Sequence, residues 1–164
     1  MQIRKTIESD VAAAAEIYDS ARAFMRSMGN LTQWSDGYPN AVSVLEDIAA
    51  DASYVCEENG ELLAIFYFKV GEDKTYNKIY DGAWLTDGDY AVIHRIAVSD
   101  KARGRGVAAF IFEQCYERFP NLRIDTHRDN IPMQKALLRA GFEHCGIIYL
   151  ENGEERLAYQ KVKK

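Results

Sequence analysis

Cysteine is scarce and odd in number, with Cys56, Cys115 and Cys145 as the whole complement. Three thiols so widely spaced make no disulfide framework, and no CxxC pair is present to hold zinc or exchange disulfides. Proline (three residues) and glycine (eleven) are too few for a collagen-like or low-complexity chain. Long apolar runs are missing too. The longest, Leu62 to Phe68 and Val107 to Phe112, fall far short of the roughly 18 residues that read as a membrane helix. Met1-Gln2-Ile3-Arg4-Lys5 leads into no apolar stretch with a small-residue cleavage site, so a secretory signal is not expected and a cytoplasmic globule is. Basic charge does not dominate: 20 Lys and Arg stand against 25 Asp and Glu, a net of −5. A general binder of nucleic-acid backbones is excluded on that balance, although a local basic patch is not. No 20–50-residue period points to a solenoid.

What remains is 164 residues with 48% hydrophobic and 27% charged positions, enough for a single domain over residues 1–164 with its own core. Gln2 to Glu8 reads as a strand and Ser9 as the N-cap of the helix that follows. Val11 to Met28 carries apolar residues at helical spacing (Ala14, Ile17, Tyr18, Ala21, Phe24, Met25, Met28) and ends at Gly29. A loop over Leu31 to Asn40 precedes a short helix from about Ala41 to Ala50. Ser53 to Glu58 and Glu61 to Val70 flank Asn59-Gly60, the turn pair of a type I′ hairpin. Gly71 to Asp89 is polar and acidic. Tyr90 to Val98 reads as a strand with Tyr90, Val92, His94, Ile96 and Val98 on one face. Gly106 to Phe119 reads as a helix stopped by Pro120, and Leu122 to His127 as a strand. Asn130 is a good N-cap, with Pro132 in the first turn and Gly141 at the end of that helix. A second hairpin, Glu143 to Leu150 with Glu155 to Val162, is centred on Asn152-Gly153. The order β-α-α-β-β-β-α-β-α-β-β predicts an α+β mixed sheet with helices on both faces.

The stretch Val98-Ser99-Asp100-Lys101-Ala102-Arg103-Gly104-Arg105-Gly106-Val107-Ala108-Ala109 is the most informative. A strand ends, a glycine pair bends the chain and a helix begins. Unpaired N–H groups at a helix start, with the positive end of the helix dipole, make an anion site. Glycines let that backbone approach a phosphate closely. Lys101, Arg103 and Arg105 add positive charge. Two nucleotide readings fit. Gly104-x-Gly106-x-x-Ala109, with Asp125 further on, matches a dinucleotide fingerprint and would suit a nicotinamide-dependent oxidoreductase. Against it, the residues after Ala109 end in a hairpin where βα units would be needed.

The other reading is Arg103-x-x-Gly106-x-Ala108. It resembles the R/Q-x-x-G-x-G/A signature of the GNAT superfamily of acetyl-CoA-dependent N-acetyltransferases. Ile96-Ala97-Val98 resembles the strand before that signature, and Asn130 with the helix ending Ala140-Gly141-Phe142 resembles the family's second motif. The order of elements matches over nearly the whole chain. The resemblance implies a mostly antiparallel sheet with a splayed central parallel strand pair, acetyl-CoA as co-substrate and no metal. It implies that the backbone of Arg103, Gly104, Arg105, Gly106, Val107, Ala108 and Ala109 holds the CoA pyrophosphate. Ile96, Ala97 and Val98 would pair with the pantetheine arm, and a backbone N–H of that strand would polarise the thioester carbonyl. Asn130 would bind the cofactor arm. A CoA-binding regulatory module without turnover stays open beside the enzyme.

Attack by an amine requires its neutral form, so a general base helps. His94, Asp125 and His127 are the candidates. His94 resembles a strand histidine of arylalkylamine N-acetyltransferases, and Asp125 lies where ribosomal-protein alanine N-acetyltransferases carry a Glu. Many family members place a Tyr acid seven residues after the motif Asn; here that position is Leu137, with Tyr149 and Cys145 as substitutes. Acceptor sites of the family would fall at Trp34, Tyr38, Tyr80 and Trp84, near Asp81, Asp87 and Asp89. Aromatic rings beside carboxylates suit a cationic amine, either a small molecule or a peptide N-terminus. No nucleic-acid or membrane partner is expected. A homodimer through the C-terminal strands or a sheet edge stays open.

Overall fold

In the computed structural model, which describes residues 1–164, seven strands and four α-helices follow one another in the expected order. The strands are β1 (Gln2–Lys5), β2 (Ser53–Glu58), β3 (Glu61–Val70), β4 (Ala91–Val98), β5 (Asn121–Thr126), β6 (Glu143–Tyr149) and β7 (Glu155–Val162). The helices are α1 (Val11–Ser27), α2 (Ala41–Ala49), α3 (Val107–Arg118) and α4 (Ile131–Arg139). The sheet order is β1-β2-β3-β4-β5-β7-β6. It is mostly antiparallel, with β4 and β5 parallel at Ala91↔Leu122 and Val92↔Arg123. A doubly wound parallel sheet, which the dinucleotide reading requires, is therefore not formed. No helix is long and apolar enough to cross a membrane. The chain forms two compact units, Met1–Phe68 with His94–Ile111, and Lys69–Ile93 with Phe112–Lys164.

The core of the first unit follows from helical spacing. Ala14, Ile17, Tyr18 and Ala21 of α1 lie on one face and bury against Val44 of α2, Val55 of β2, Ile65 of β3 and Ala97 of β4. Each large aliphatic so enclosed contributes about 1.5–3 kcal/mol. The β2–β3 hairpin turns at Asn59 and Gly60, with φ 52 and 79, as a type I′ turn requires. The entry to α1 differs from expectation. β1 stops at Lys5, a single 3₁₀ turn covers Glu8–Asp10, and Ser9 does not cap the helix. Asp10 does the polar work instead. Its carboxylate accepts the Ile7 N–H at 2.9 Å and both guanidinium arms of Arg4 at 2.7 and 3.0 Å. The Arg4 hydrogen bond is the chief cause that holds the Asp10 carboxyl below its usual pKa.

In the second unit β7 pairs with both β5 and β6. Phe112 of α3 meets Phe142 edge-on at 5.3 Å between centroids, and Leu122, Ile124, Leu137 and Ile148 are buried. The β6–β7 connection is longer than an Asn-Gly turn. Leu150 N–H bonds Glu154 O and Gly153 N–H bonds Leu150 O, with Gly153 at φ 84. The acidic segment before β4 is anchored to β6. Tyr80 and Ile147 exchange both backbone hydrogen bonds at 2.8 Å, and Ala83 N–H bonds Cys145 O at 2.9 Å. This close approach needs glycine at two places. A Cβ on Gly82 would stand 1.9 Å from the Cys145 carbonyl oxygen, and one on Gly146 would stand 2.5 Å from that of Tyr80.

Two outcomes follow for stability. Gly82→Ala forces main chain apart and is expected to destabilise by about 1–3 kcal/mol in urea unfolding, the usual scale of overpacking. Asp10→Asn is expected to cost about 1–2 kcal/mol at pH 6, since it removes a charge-assisted pair. Because the native Asp10 pKa is depressed, the stabilisation is complete above the ordinary Asp value of about 3.9 and is lost as pH falls through the native value. The difference between wild type and Asp10→Asn should therefore shrink on acidification, as read by urea midpoints from pH 6 down to pH 3.

Candidate functional site

The turn between β4 and α3 lies wholly in the first unit. Ser99 N–H bonds the Leu63 carbonyl at 2.8 Å and pins the end of β4 to β3. A 3₁₀ turn over Asp100–Ala102 follows, tied by Ala102 N–H to Ser99 O at 3.0 Å. Gly104 and Gly106 then take φ 82 and 77, a region that costs a residue with a Cβ roughly 1–2 kcal/mol. A Cβ built on either glycine meets nothing within 4 Å, so both open onto free space. The first bond of α3 runs from Phe110 N–H to Gly106 O at 3.0 Å. The N–H groups of Val107, Ala108 and Ala109 precede it and have no partner in the helix. Open space beside glycine backbone, followed by unpaired helix donors, is a donor set that fits a diphosphate. The charged side chains are spoken for in part. The Arg103 guanidinium carbon lies 3.9 Å from the Phe24 ring centroid, and Arg105 pairs with Glu58. The main chain, more than the arginine heads, makes this site.

β4 leads into that turn. Ile96 and Ala97 are buried and Val98 is half-buried. His94 is half-buried, with its ring 5.5 Å from that of Tyr67. Strict alternation does not run through the strand, because Arg95 takes φ 48. That left-handed residue interrupts the two-residue repeat expected to put His94 on one face with Ile96 and Val98. Sequence reasoning missed Arg95 altogether. Its guanidinium is held by both carboxylate oxygens of Asp47 and reaches the Tyr38 hydroxyl at 3.1 Å. Burial raises the Asp47 pKa, and Arg95 opposes that shift. An Asp and an Arg far apart in the chain carry no local signal of such a pair.

Asp125, His127 and Asn130 belong to the second unit, on β5 and the turn after it. Asp125 is half-buried and its Oδ1 accepts the Tyr76 hydroxyl at 2.5 Å. Tyr76 is fully buried, and burial, reinforced by the Asp125 carboxylate, pushes its phenol well above the ordinary value. The Nδ1 of His127 accepts the Asp129 N–H at 3.0 Å, which leaves its proton on Nε2. Burial, then the positive charge of Arg156, pushes the His127 pKa down, so its imidazole stays neutral to lower pH than an ordinary histidine. Asn130 is buried and caps α4 as expected, its Oδ1 accepting the Met133 N–H at 3.2 Å. Leu137, where a Tyr acid was sought, is fully buried. Of the two substitutes, Cys145 is buried with its thiol pKa raised by that burial, whereas Tyr149 is exposed and packs edge-on against Tyr80.

The aromatic residues proposed for an acceptor divide between the units. Trp34 packs edge-on against Tyr18 at 5.6 Å, and Tyr38 is exposed with its hydroxyl on Arg95, both in the first unit with His94. Tyr80 and Trp84 lie in the second. Trp84 donates its indole N–H to the Tyr76 carbonyl at 2.8 Å, and Arg123 lies 4.2 Å from its ring centroid. Tyr80 is exposed beneath Lys78. No cluster of three or more His, Cys, Asp or Glu is placed to hold a metal ion.

Comparison with known proteins agrees with this architecture. The acetyltransferase (GNAT) family matches over residues 14–142. Among curated proteins none matches the chain in sequence. A GNAT-family acetyltransferase from Streptococcus agalactiae is similar in structure, with TM-score 0.91 and 36% identity over 99% of this chain and 95% of that one. A putative acetyltransferase from Salmonella typhimurium, solved with its cofactor acetyl-CoA, shares the fold at TM-score 0.66 and 15% identity, covering 99% of this chain and 94% of that one. A ribosomal-protein-alanine N-acetyltransferase from Brucella melitensis does so at TM-score 0.63 and 20% identity, covering 99% and 100%. With most of its length matched by the family and a relative of more than one-third identity along nearly all of it, this chain belongs to the GNAT acetyltransferase family.

Proposed function

We propose that this chain transfers the acetyl group of acetyl-CoA to a primary amine, by direct attack while both are bound. The observation that carries the reading is the turn at Gly104 and Gly106, two left-handed glycines that open onto free space at the start of α3. Of the amides from Arg103 to Ala109, those of Arg103 and Arg105 donate to Asp100 O at 3.4 Å and Ala102 O at 3.2 Å, so the others of this run would hold the pyrophosphate. The edge of β4 from Ile96 to Val98 would receive the pantetheine arm. Asn130, whose Oδ1 is taken by Met133 N–H, would meet the arm through its amide nitrogen. Acetyl-CoA supplies a thioester carbonyl and a leaving thiolate whose parent thiol, with a pKa near about 8.5, needs little help from an acid. That suits a site in which Leu137 replaces the usual Tyr.

Of the three bases, His94 fits best. His127 carries its proton on Nε2 and uses Nδ1 as an acceptor, so neither nitrogen is ready to take a proton. The Asp125 carboxylate already holds the Tyr76 hydroxyl. His94 would take the ammonium proton, directly or through water. Trp34 and Tyr38 of the first unit, and Tyr80 and Trp84 of the second, would each offer an aromatic face to an acceptor, a small amine or a peptide N-terminus.

Thiol release from acetyl-CoA across a panel of amines and short peptides tests the reaction. Gly106→Val is expected to weaken acetyl-CoA binding by about tenfold or more while the strained φ lowers stability by only about 1–2 kcal/mol; unchanged affinity would place the cofactor elsewhere. Stabilisation by acetyl-CoA with no thiol release would instead mark a CoA-binding module, the reading that the missing Tyr keeps open. His94→Gln is expected to lower kcat by about 100-fold. A kcat close to wild type would move the role to Asp125 or His127.

A further inference from the structure

A left-handed arginine in mid-strand does not hold itself there. Left alone, Arg95 at φ 48 would relax to the extended region, turning the peptide planes on either side of it. Two helices prevent this from two directions. From α1, the buried Tyr18 donates its hydroxyl to the Arg95 carbonyl at 3.0 Å. From α2, the buried Asp47 grips the guanidinium with both oxygens, Oδ2 to Nε at 3.1 Å and Oδ1 to Nη2 at 2.7 Å. Main chain and side chain of one residue are thus tied to different elements. Tyr67 of β3 completes the seat, with its ring centroid 4.8 Å from the guanidinium carbon. The same ring lies against His94.

We infer that Tyr18 and Asp47 are positioning residues that lock the kink of β4 at Arg95, and so set the direction of the His94 side chain and of the backbone edge from Ile96 to Val98. The inference rests on the proposed reading of those groups as base and cofactor edge. Neither Tyr18 nor Asp47 needs to touch a substrate; each acts through Arg95. The fork of two parallel N–H···O bonds fixes orientation as well as distance. The buried Tyr18 hydroxyl and Arg95 carbonyl satisfy one another, so neither leaves its partner without cost.

Tyr18→Phe removes one tie and Asp47→Asn breaks the fork of the other by removing its charge and one of its two acceptors, both with almost no change of shape, and two readouts separate the outcomes. Amide hydrogen exchange of the ligand-free protein is expected to accelerate by about tenfold or more at Arg95, Ile96 and Ala97, relative to the core amides of Val55 and Ile65, in each variant. Thiol release below the melting temperature is expected to show kcat reduced by about tenfold or more, with the KM for acetyl-CoA raised as the Ile96 to Val98 edge loses its direction. Exchange that rises equally in β2, β3 and β4, or kcat that holds while Tm falls, would show that the two residues only support the fold and would overturn the lock. Should wild type release no thiol with any amine, the proposed reaction fails, while the exchange pattern still decides whether the kink is locked.

Discussion

The chain between Val98 and Val107 must pass from a strand into a helix and leave the N–H groups that open the helix, Val107 to Ala109, without helical partners. Few backbones can do so. Ser99 is tied back to β3 through the Leu63 carbonyl, so the strand end cannot drift. The two left-handed glycines then reverse the chain without placing a Cβ on the open side. α3 starts immediately, with the buried Val107 anchoring its first residue. The donors offered at this turn come from geometry imposed on the main chain, in a protein whose net charge is −5.

The rest of the first unit can be understood as support for that backbone. α1 and α2 bury Ala14, Ile17, Tyr18 and Val44 against Val55, Ile65 and Ala97, which fixes the strand that feeds the turn. The same helices send Tyr18 and Asp47 to Arg95. Apolar packing sets where the helices lie, and a few directional polar bonds set how one strand is bent. The second unit uses different means. There a buried phenol, Tyr76, holds a carboxylate on β5, and glycines at Gly82 and Gly146 let a loop lie flat against β6.

Much of this was legible in the residues. Helical spacing in α1, the Asn59-Gly60 turn, the Asn130 cap and the glycine pair at 104 and 106 each have a local cause, because the partners lie within a few residues. The misreadings share a cause as well. Ser9 had the chemistry of a cap, yet Asp10 won, since Arg4 and the Ile7 N–H both converge on its carboxylate. Strand alternation through β4 failed at Arg95 because a left-handed arginine needs tertiary ties that no propensity records.

By itself the sequence determined the order of elements, the glycine turn that leads into α3 and the family motifs around it, because spacing and glycine placement act over a few residues. Only the tertiary structure decided the pairing of Arg95 with Asp47 and Tyr18, the seat of Asp125 on Tyr76, the tautomer of His127 and the burial of Leu137. Those depend on which distant groups are brought within hydrogen-bond reach or sealed from water. That is a property of the packed chain, with no counterpart along its length.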